Sequence, residues 1–412
     1  MSLVTADPAE HGLDPARLDR ITTHFQGYVD DGRLPGWQLL VARHGELVVS
    51  TSAGWRDTER TVPWGDDPIV RLFSMTKPVT SVAAMMLYEQ GGFELKDPVS
   101  RFIPAFADAR VYRTGSAQRP QTDPVVEPMR IWHLLTHTSG LTYGFHHSHV
   151  TDALYRAAGY DWGMPSGRNL AEHCDAWAAL PLAFQPGSEW LYGHSTDVLG
   201  RVVEVASGMP LDEFFRAHIF EPLGMHETWF RVPDEHRDRC ADLWIAGPDG
   251  TALPGGGPLL TPEGMGWLSG GGGLWGTAHD YLKFAAMLLG RGAAATPDGP
   301  PVRLLGTRTV DYMTRNHLPG GADLERFGRP LFAETTFDGV GFGLGVAVVD
   351  DPVANRSLAS RGEYTWGGAA STVFWNDPAE QISAVFLTQL LPSQTHPIRS
   401  QLRQLVNQAL VD

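Results

Sequence analysis

The sequence predicts an α+β fold: an antiparallel sheet, built from both ends of the chain and flanked by helices, with a mostly helical inserted domain. Three observations predict it. Near the N-terminus, two apolar runs surround the dipeptide His44-Gly45, a pattern typical of a β-hairpin. Near the C-terminus, apolar runs at 370–376 and 382–388 predict two more strands, with an amphipathic helix after them. Between these ends, residues 95–190 show helical patterns that Pro and Gly interrupt.

The elements before residue 95 include two helices. The first begins at Asp14-Pro15 and ends near Gly32, because Asp caps helices well and Pro suits the first helical position. The second runs from Val79 to Glu89. It is apolar on nearly every face, which predicts that it is buried.

The polar residues 108–127 predict a surface loop, and the rest of 95–190 is expected to be helical, including 169–180. We therefore predict two domains. Residues 1–94 and 191–412 form the sheet domain, and residues 95–190 form the inserted one. The other predicted elements are helices at 198–206, 211–220, 281–289 and 307–316, a single strand at 341–349, and a final helix at 398–410.

Composition narrows the function classes. The 412 residues carry a formal net charge of −15, which argues against binding nucleic acid or anionic membranes. No apolar run has membrane-spanning length, and the N-terminus shows no signal peptide, so we expect a cytoplasmic protein. Cys174 and Cys240 are the only cysteines, so neither a disulfide framework nor a cysteine metal site is expected. Homo-oligomerisation stays open.

A serine and a lysine stand where the second helix begins. Ser74 and Lys77 are three residues apart, so on a helix their side chains lie on one face and can touch. At a helix N-terminus, free N–H groups favour a negative charge that develops on the serine oxygen. A buried lysine can act as the base for such a serine, and Ser-x-x-Lys is an acylation motif. The alternative is a helix cap followed by a surface lysine.

A pair of this kind also needs a proton shuttle and an oxyanion hole. Tyr192 is the predicted shuttle, because a phenol near an ammonium group loses its proton more easily. Its alternative role is that of an interfacial aromatic. The segment Trp366-Gly367-Gly368-Ala369 precedes a predicted strand, and one of its N–H groups, with that of Ser74, can form an oxyanion hole. The alternative here is an ordinary glycine turn.

Other site types are excluded or disfavoured. The glycines of 270–273 lack the pattern of a phosphate-binding loop, so we expect a loop that lines the pocket. The histidines between 133 and 149 lack His-Glu-x-x-His spacing, so no metal site is predicted. No Gly-x-Ser-x-Gly elbow occurs, which argues against an ordinary α/β-hydrolase. We predict no cofactor.

In their order and spacing, the motifs resemble those of the serine β-lactamase-like family. The resemblance is strongest to the family VIII carboxylesterases, which are related to class C β-lactamases and to the transesterase of statin biosynthesis. It covers nearly the whole chain and implies a β-lactamase/transpeptidase-like fold. It rests on Val41-Ala-Arg-His-Gly-Glu46, Ser74-Met-Thr-Lys77, Leu134-Leu-Thr-His-Thr-Ser-Gly-Leu141, Phe184-x-Pro-Gly-Ser-x-Trp-x-Tyr192, Pro222-Leu-Gly-Met225, Gly270–Gly273 and Trp366-Gly-Gly368.

The resemblance implies a role for each site residue. Ser74 is then the nucleophile and Lys77 its activating partner. Tyr192 relays the proton, and the N–H groups of Ser74 and Ala369 hold the oxyanion. The residues implied to contact the substrate are Tyr143, His194, Trp366, Gly367 and Gly368.

Two departures from the family pattern bear on the substrate. Lys-Thr-Gly or His-Thr-Gly is replaced by Trp366-Gly367-Gly368, and an indole cannot bind a carboxylate as a cation does. The Tyr-x-Asn motif reads Tyr192-Gly193-His194, without the amide. Both changes favour short-chain neutral esters over β-lactams.

We therefore predict a cofactor-free serine carboxylesterase that forms an acyl-enzyme on Ser74. Three alternatives stay open. The acyl group can pass to an alcohol or amine instead of water, or the same residues can cleave an amide or, slowly, a β-lactam. A non-catalytic binding protein that keeps the fold is the third.

Overall fold

A seven-stranded antiparallel sheet forms the centre of the part of the chain that the structure describes. The structure is a computed structural model, and it describes residues 6–162, 164–255, 266–296, 299–329 and 336–411. The helices in these residues are α1 Pro15–Asp30, α2 Thr76–Glu89, α3 Ile131–Leu135, α4 Val150–Ala157, α5 Leu170–Ala178, α6 Ser195–Ser207, α7 Leu211–Phe215, α8 Glu221–Leu223, α9 Ala278–Leu289, α10 Thr307–Met313, α11 Leu324–Phe327, α12 Pro352–Asn355 and α13 Ile398–Asn407.

The strands in the same residues are β1 Gly36–Arg43, β2 Glu46–Gly54, β3 Val70–Arg71, β4 Arg110–Ser116, β5 Arg119–Pro124, β6 Thr228–Trp229, β7 Trp244–Ala246, β8 Ala252–Pro254, β9 Trp275–Gly276, β10 Ala293–Thr296, β11 Gly299–Arg303, β12 Val340–Phe342, β13 Ala347–Val349, β14 Tyr364–Gly367, β15 Val373–Asp377, β16 Ile382–Leu387 and β17 Leu390–Leu391. Short 3-10 turns occur between them, among them Phe73–Met75 directly before α2.

The central sheet draws its strands from both ends of the chain, and the predicted α+β class is confirmed. Its strand order is β12-β13-β14-β15-β16-β1-β2, so the N-terminal hairpin β1–β2 adds to the C-terminal strands through the β1–β16 pair. Side chains of β1 alternate between the two faces of the sheet. Leu39 and Val41 pack with α1 and α13, whereas Leu40 and Ala42 pack with α2 and α9.

Helix α2 is buried on nearly all sides, as its apolar composition predicts. Most of its residues from Thr76 to Leu87 are buried, and Lys77 is among them with 1% of its surface exposed. Pro78 lies in the first turn, where its missing N–H costs no helical hydrogen bond. The chain leaves the helix at Gln90 and turns at Gly91.

A small three-stranded sheet, in the order β3-β9-β6, positions the start of α2. Strand β3 pairs with β9 so that Arg71 lies opposite Trp275, and β9 also pairs with β6. The N–H of Leu72 donates to the carbonyl of Leu274 at 3.0 Å. The glycines 270–273, which directly precede β9, are thereby held beside the turn that carries Ser74.

Two predicted elements were wrong. Residues 110–124 form the hairpin β4–β5, where we expected a loop, because the hairpin is mostly exposed on both faces and has no apolar alternation to reveal it. Residues 340–349 form two strands, β12 and β13, where we expected one, since the turn between them is as buried as the strands. The inserted region therefore holds a hairpin besides helices α3 to α5.

The boundaries of the two domains stay a prediction. Side chains from the inserted region and from α2 and α6 belong to one apolar cluster. No described helix is both long and apolar enough to cross a membrane.

Candidate active site

The pair Ser74–Lys77 lies at the start of α2, as its spacing predicts. Ser74 belongs to the 3-10 turn before the helix, and Lys77 lies in the first helical turn. Lys77 Nζ donates to Ser74 Oγ at 3.1 Å. The serine is partly exposed and the lysine is buried, so the hydroxyl faces the cavity while the amine reaches it from behind.

The backbone before Ser74 is strained. Phe73 has a φ of +48°, in the left-handed region that residues with a Cβ rarely adopt. Such strain is typical of functional turns, where the surrounding structure holds the backbone in place. Here β3 precedes the turn and α2 follows it, so the nucleophile's position is determined on both sides.

Lys77 has three polar neighbours. Besides the serine oxygen, its Nζ donates to Tyr143 Oη at 3.2 Å and to the carbonyl of Gly271 at 2.6 Å. The ring of Tyr192 also faces it, with Nζ 4.6 Å from the ring centroid. The amine is thus held against the serine oxygen without a direct carboxylate partner in the described residues.

The two tyrosines differ in what they present to the lysine. The sequence predicted Tyr192 as the proton shuttle, and the structure places its ring against Nζ. The hydroxyl within hydrogen-bonding distance is that of Tyr143, which was expected only to contact the substrate. Burial, together with Asp197 and Tyr192, raises the pKa of Tyr143 well above its ordinary value, so this phenol stays protonated at neutral pH.

The predicted oxyanion edge lies at the end of β14. Trp366 and Gly367 belong to this strand, and Gly368 and Ala369 begin the connection to β15, so the segment follows one strand and precedes another. A Cβ on Gly368 would lie 2.4 Å from the carbonyl oxygen of Leu72. Only glycine allows this close approach, which brings the edge to the turn of Ser74.

His194 lies behind the cavity. It is 1% exposed, its ring stacks on Trp177 with centroids 4.1 Å apart, and its Nδ1 bonds the Asp197 carboxylate at 3.0 Å. Tyr143 stands edge-on to the imidazole at 4.5 Å. This burial argues against the direct contact with substrate that the resemblance implies.

A cavity of about 290 Å³ opens over Ser74. Its size is at the small end for ligand pockets. It holds the predicted residues Ser74, Tyr143 and Tyr192 and the edge 366–369 together, and Gly271 and Gly272 line it as expected for the glycine run. A larger cavity of about 920 Å³ between α6, α7 and residues 225–231 contains none of these groups, so we place the chemistry in the smaller one.

Aromatic rings form much of the cavity wall. Trp162, Phe145 and Tyr143 make a parallel stack, with centroids 4.4 Å and 4.7 Å apart, that leads from the mouth to the lysine. Trp162 is 51% exposed. The sequence did not reveal this stack, because the rings come from loops without periodicity.

The arginines Arg71, Arg399 and Arg403 line the cavity, and the guanidinium of Arg71 lies over the rings of Phe73 and Trp275. Arg399 donates to the carbonyls of Gly368 and Thr372 at 2.8 and 3.1 Å. Arg403 pairs with the buried Glu363 at 2.6 Å. The cations of α13 therefore support the β14 edge.

The histidines that cluster in sequence have separate partners. His146 Nε2 lies 2.7 Å from the carbonyl of Tyr192, and His149 caps α4. His133 accepts the backbone N–H of Arg130 through Nδ1. Within the described residues, no group of three His, Cys, Asp or Glu side chains is arranged to hold a metal ion.

Comparisons with known proteins find a family model and relatives that match nearly the whole chain. A family model described as Beta-lactamase matches residues 21–408. The chain is 32% identical over 406 residues to Esterase EstB of Burkholderia gladioli, with 94% of each chain covered. It is 31% identical to Lovastatin esterase of Penicillium rubens, covering 93% of this chain and 95% of that one. The solved structure of EstCE1, a hydrolase with promiscuous acyltransferase activity, matches with a TM-score of 0.79 and 29% identity, over 95% of this chain and 99% of that one.

Proposed function

The chain belongs to the Beta-lactamase family and is a serine hydrolase, and from this premise we propose that it cleaves small neutral carboxylic esters through an acyl-enzyme on Ser74. The family and the fold that the sequence resemblance implied are both confirmed. The residue roles below are our proposal. It depends above all on the contact of Lys77 Nζ with Ser74 Oγ at 3.1 Å, on the floor of an apolar cavity.

Acylation begins from the neutral-amine form of Lys77, whose lone pair takes the proton of Ser74 Oγ while the serine oxygen attacks the ester carbonyl. The carbonyl oxygen becomes an oxyanion, which the N–H groups of Ser74 and Ala369 stabilise. The C–O bond to the alcohol then breaks, and the alcohol oxygen receives a proton from the group around Lys77. Water, activated by the same group, hydrolyses the acyl-enzyme.

Two tyrosines act on the lysine in this scheme. Tyr143 Oη lies within hydrogen-bonding distance of Lys77 Nζ, and it can pass a proton to the lysine as the lysine gives its own to the leaving oxygen. The phenolate regains a proton from the water that attacks the acyl-enzyme, and the lysine returns the proton that it received to Ser74 Oγ when the acid leaves. Tyr192 presents its ring in this arrangement, and the electron-rich face stabilises the ammonium form of the lysine.

The substrate is small, neutral and apolar on the alcohol side. The cavity of about 290 Å³ limits its size, and Arg399 and Arg403 are engaged by carbonyls and by Glu363. The leaving oxygen must lie near Lys77 to be protonated. The alcohol part therefore extends along the stack of Tyr143, Phe145 and Trp162.

Turnover of p-nitrophenyl butyrate tests the proposal. Ser74→Ala removes the nucleophile without creating a buried cavity, so we expect activity to fall to the background rate and the unfolding midpoint to stay unchanged. A fluorophosphonate probe should label the wild-type protein at Ser74. Retained turnover by the variant would exclude Ser74 as the nucleophile, and an unlabelled, inactive wild-type protein would favour a non-catalytic binding role.

Acyl transfer is the second candidate, because EstCE1 is a hydrolase with promiscuous acyltransferase activity. The same acyl-enzyme serves both reactions, and the acceptor that enters the cavity decides between them. Product analysis with increasing butanol measures the split. Butyl ester in excess over free acid at low butanol would make transfer the main activity. Nitrocefin in the same assay measures β-lactam cleavage, which we expect to be slow.

Cytoplasmic location stays a prediction from the sequence, and self-association stays open. Light scattering after size-exclusion chromatography measures the second.

A further inference from the structure

Asp197 is a buried carboxylate directly behind the reacting pair. It lies in the first turn of α6 and is 2% exposed. Its Oδ1 accepts the Ser269 hydroxyl at 2.6 Å and the Gly271 N–H at 2.8 Å. Its Oδ2 accepts Nδ1–H of His194 at 3.0 Å. A carboxylate with three donors and a helix N-terminus at its back is well stabilised as an anion.

The residue that Asp197 holds is the one that holds the catalytic lysine. The N–H of Gly271 donates to Asp197, and the carbonyl of the same residue accepts from Lys77 Nζ at 2.6 Å. A Cβ at position 271 would lie 2.8 Å from Asp197 Oδ2, so the backbone can approach the carboxylate this closely only with glycine. The polar link from Asp197 on α6 to Lys77 on α2 thus passes through one residue of the loop 270–273.

Nothing in the ester chemistry above requires this carboxylate to touch the substrate. It lies three residues after His194, whose ring it binds. The carbonyl of Gly271 is a further polar group on Lys77 besides Tyr143 and Ser74.

We propose that Asp197 is a positioning residue: it holds the 270–273 loop so that the Gly271 carbonyl keeps Lys77 Nζ within reach of Ser74 Oγ. The inference rests on the proposed esterase function and adds a residue to it. In this arrangement His194 and Ser269 act on the reaction indirectly, because they donate hydrogen bonds that fix the carboxylate of Asp197.

The negative charge of Asp197, as well as its shape, contributes to holding the 270–273 loop. Burial raises its pKa, but the bonds from His194 and Ser269 and the nearby Lys77 outweigh burial and hold the pKa below its ordinary value. Burial gives most of the other ionisable groups around Asp197 and Lys77 a neutral form at neutral pH, lowering the pKa of the histidines and raising that of Tyr143 and Cys174. The groups that face the pair are Tyr143, Tyr192, His137, His173, His194 and Cys174.

Two substitutions separate shape from charge. Asp197→Asn keeps an oxygen for the N–H of Gly271 and removes the charge. Asp197→Ala removes the acceptor altogether, while Thr80 still holds the loop through its bond to the Gly270 carbonyl at 2.6 Å. Gly271→Ala attacks the same link from the other side, because its Cβ collides with the carboxylate.

With p-nitrophenyl butyrate we expect Asp197→Ala and Gly271→Ala each to lower kcat about 100-fold, with KM changed less than about 3-fold, because a misplaced catalytic group costs rate more than binding. The double variant should be little worse than either single one, since both break one link. Asp197→Asn should lower kcat about 10-fold, because it keeps an oxygen for the N–H of Gly271 but removes the charge that strengthens this hydrogen bond.

The matched control is Asp280, another buried aspartate in the first turn of a helix. It accepts the N–H of Glu227 at 2.6 Å and the hydroxyl of Thr228 at 3.1 Å, and it lies outside the cavity wall. Asp280→Asn should lower the unfolding midpoint and leave kcat and the pH profile unchanged.

The outcomes separate this inference from the function itself. Wild-type turnover that depends on Ser74, with kcat unchanged in folded Asp197→Asn and Gly271→Ala, would overturn the positioning role alone. Additive losses in the double variant, or a KM that rises as much as kcat falls, would also contradict it. Turnover that survives in Ser74→Ala would remove the premise instead. If Asp197→Ala does not fold, the isosteric Asn variant and Gly271→Ala decide.

Discussion

The exposed indole of Trp162 gives a quantitative prediction about alcohol specificity. The side chain is 51% exposed at the cavity mouth and stacks on Phe145. An aromatic side chain buries up to about 250 Å², so a substrate that covers the exposed half removes roughly 100 Å² of indole from water. At about 25 cal/mol per Å², this contact contributes about 2.5 kcal/mol, or roughly 60-fold in kcat/KM.

The assay compares 1-naphthyl butyrate with ethyl butyrate in the wild-type protein and in Trp162→Ala. Both esters carry the same acyl group. For each ester we take the ratio of kcat/KM in the variant to kcat/KM in the wild type, and this ratio does not depend on the ester's intrinsic reactivity. We expect a loss of 10- to 60-fold for the naphthyl ester, the upper figure being the full area estimate, and less than about 3-fold for the ethyl ester, which is too short to reach the indole. Trp162→Phe should keep most of the activity.

Leu358→Ala is the surface control, because Leu358 is 60% exposed and lies outside the cavity wall. Equal losses for both esters would refute the reasoning, since the indole would then act through the fold. An unchanged kcat/KM for the naphthyl ester in Trp162→Ala would show that the alcohol part of the substrate does not contact the indole.

Two further predictions concern protons. Tyr143→Phe, which removes the hydroxyl on the lysine, and Tyr192→Leu, which removes the ring beside it, should each lower kcat by about 100-fold or more, with a combined loss smaller than the product, since both act on one lysine; multiplied losses in steady-state kinetics would contradict a shared action on the lysine. Burial, with Arg130 nearby, lowers the pKa of His133 from 6.5 to about 4. Between these two pH values the imidazole of His133 binds a proton in the unfolded chain but not in the folded protein. The free energy of unfolding therefore falls as the pH drops from 6.5 to about 4, by on the order of 3 kcal/mol from His133. Urea unfolding at several pH values should show a shallower acid slope for His133→Asn, but not for exposed His226→Gln; equal slopes in wild type and His133→Asn would assign the effect to other groups.

The sequence by itself determined the elements whose signals are local. The hairpin β1–β2 follows from two apolar runs around His44-Gly45, and α2 follows from an apolar run with Pro in its first turn. The contact of Ser74 with Lys77 was predictable for the same reason, because helical geometry brings residues three apart together whatever surrounds them. An antiparallel sheet built from both ends of the chain followed from the apolar runs, and the family followed from the order of the motifs.

The local sequence pattern did not predict strands that are exposed on both faces or buried throughout, because such strands lack the alternation of polar and apolar residues. The hairpin β4–β5 is polar on both faces, so its residues read as a loop. The turn between β12 and β13 is buried like its flanking strands, so the two read as one. In each case the strand pairing depends on backbone hydrogen bonds, which leave little trace in side-chain polarity.

Only the tertiary structure decided what surrounds the lysine. The carbonyl of Gly271 and the hydroxyl of Tyr143 come from segments 194 and 66 residues away in the chain. Asp197 reaches the lysine through the loop 270–273, whose backbone can lie this close to the carboxylate only because residue 271 is glycine. The stack of Trp162 on Phe145 brings together two irregular segments. Such contacts depend on how α2, α6 and the loops pack in space, and no periodicity records that packing. The nucleophile and its base could therefore be found from sequence, whereas the groups that hold and tune them could not.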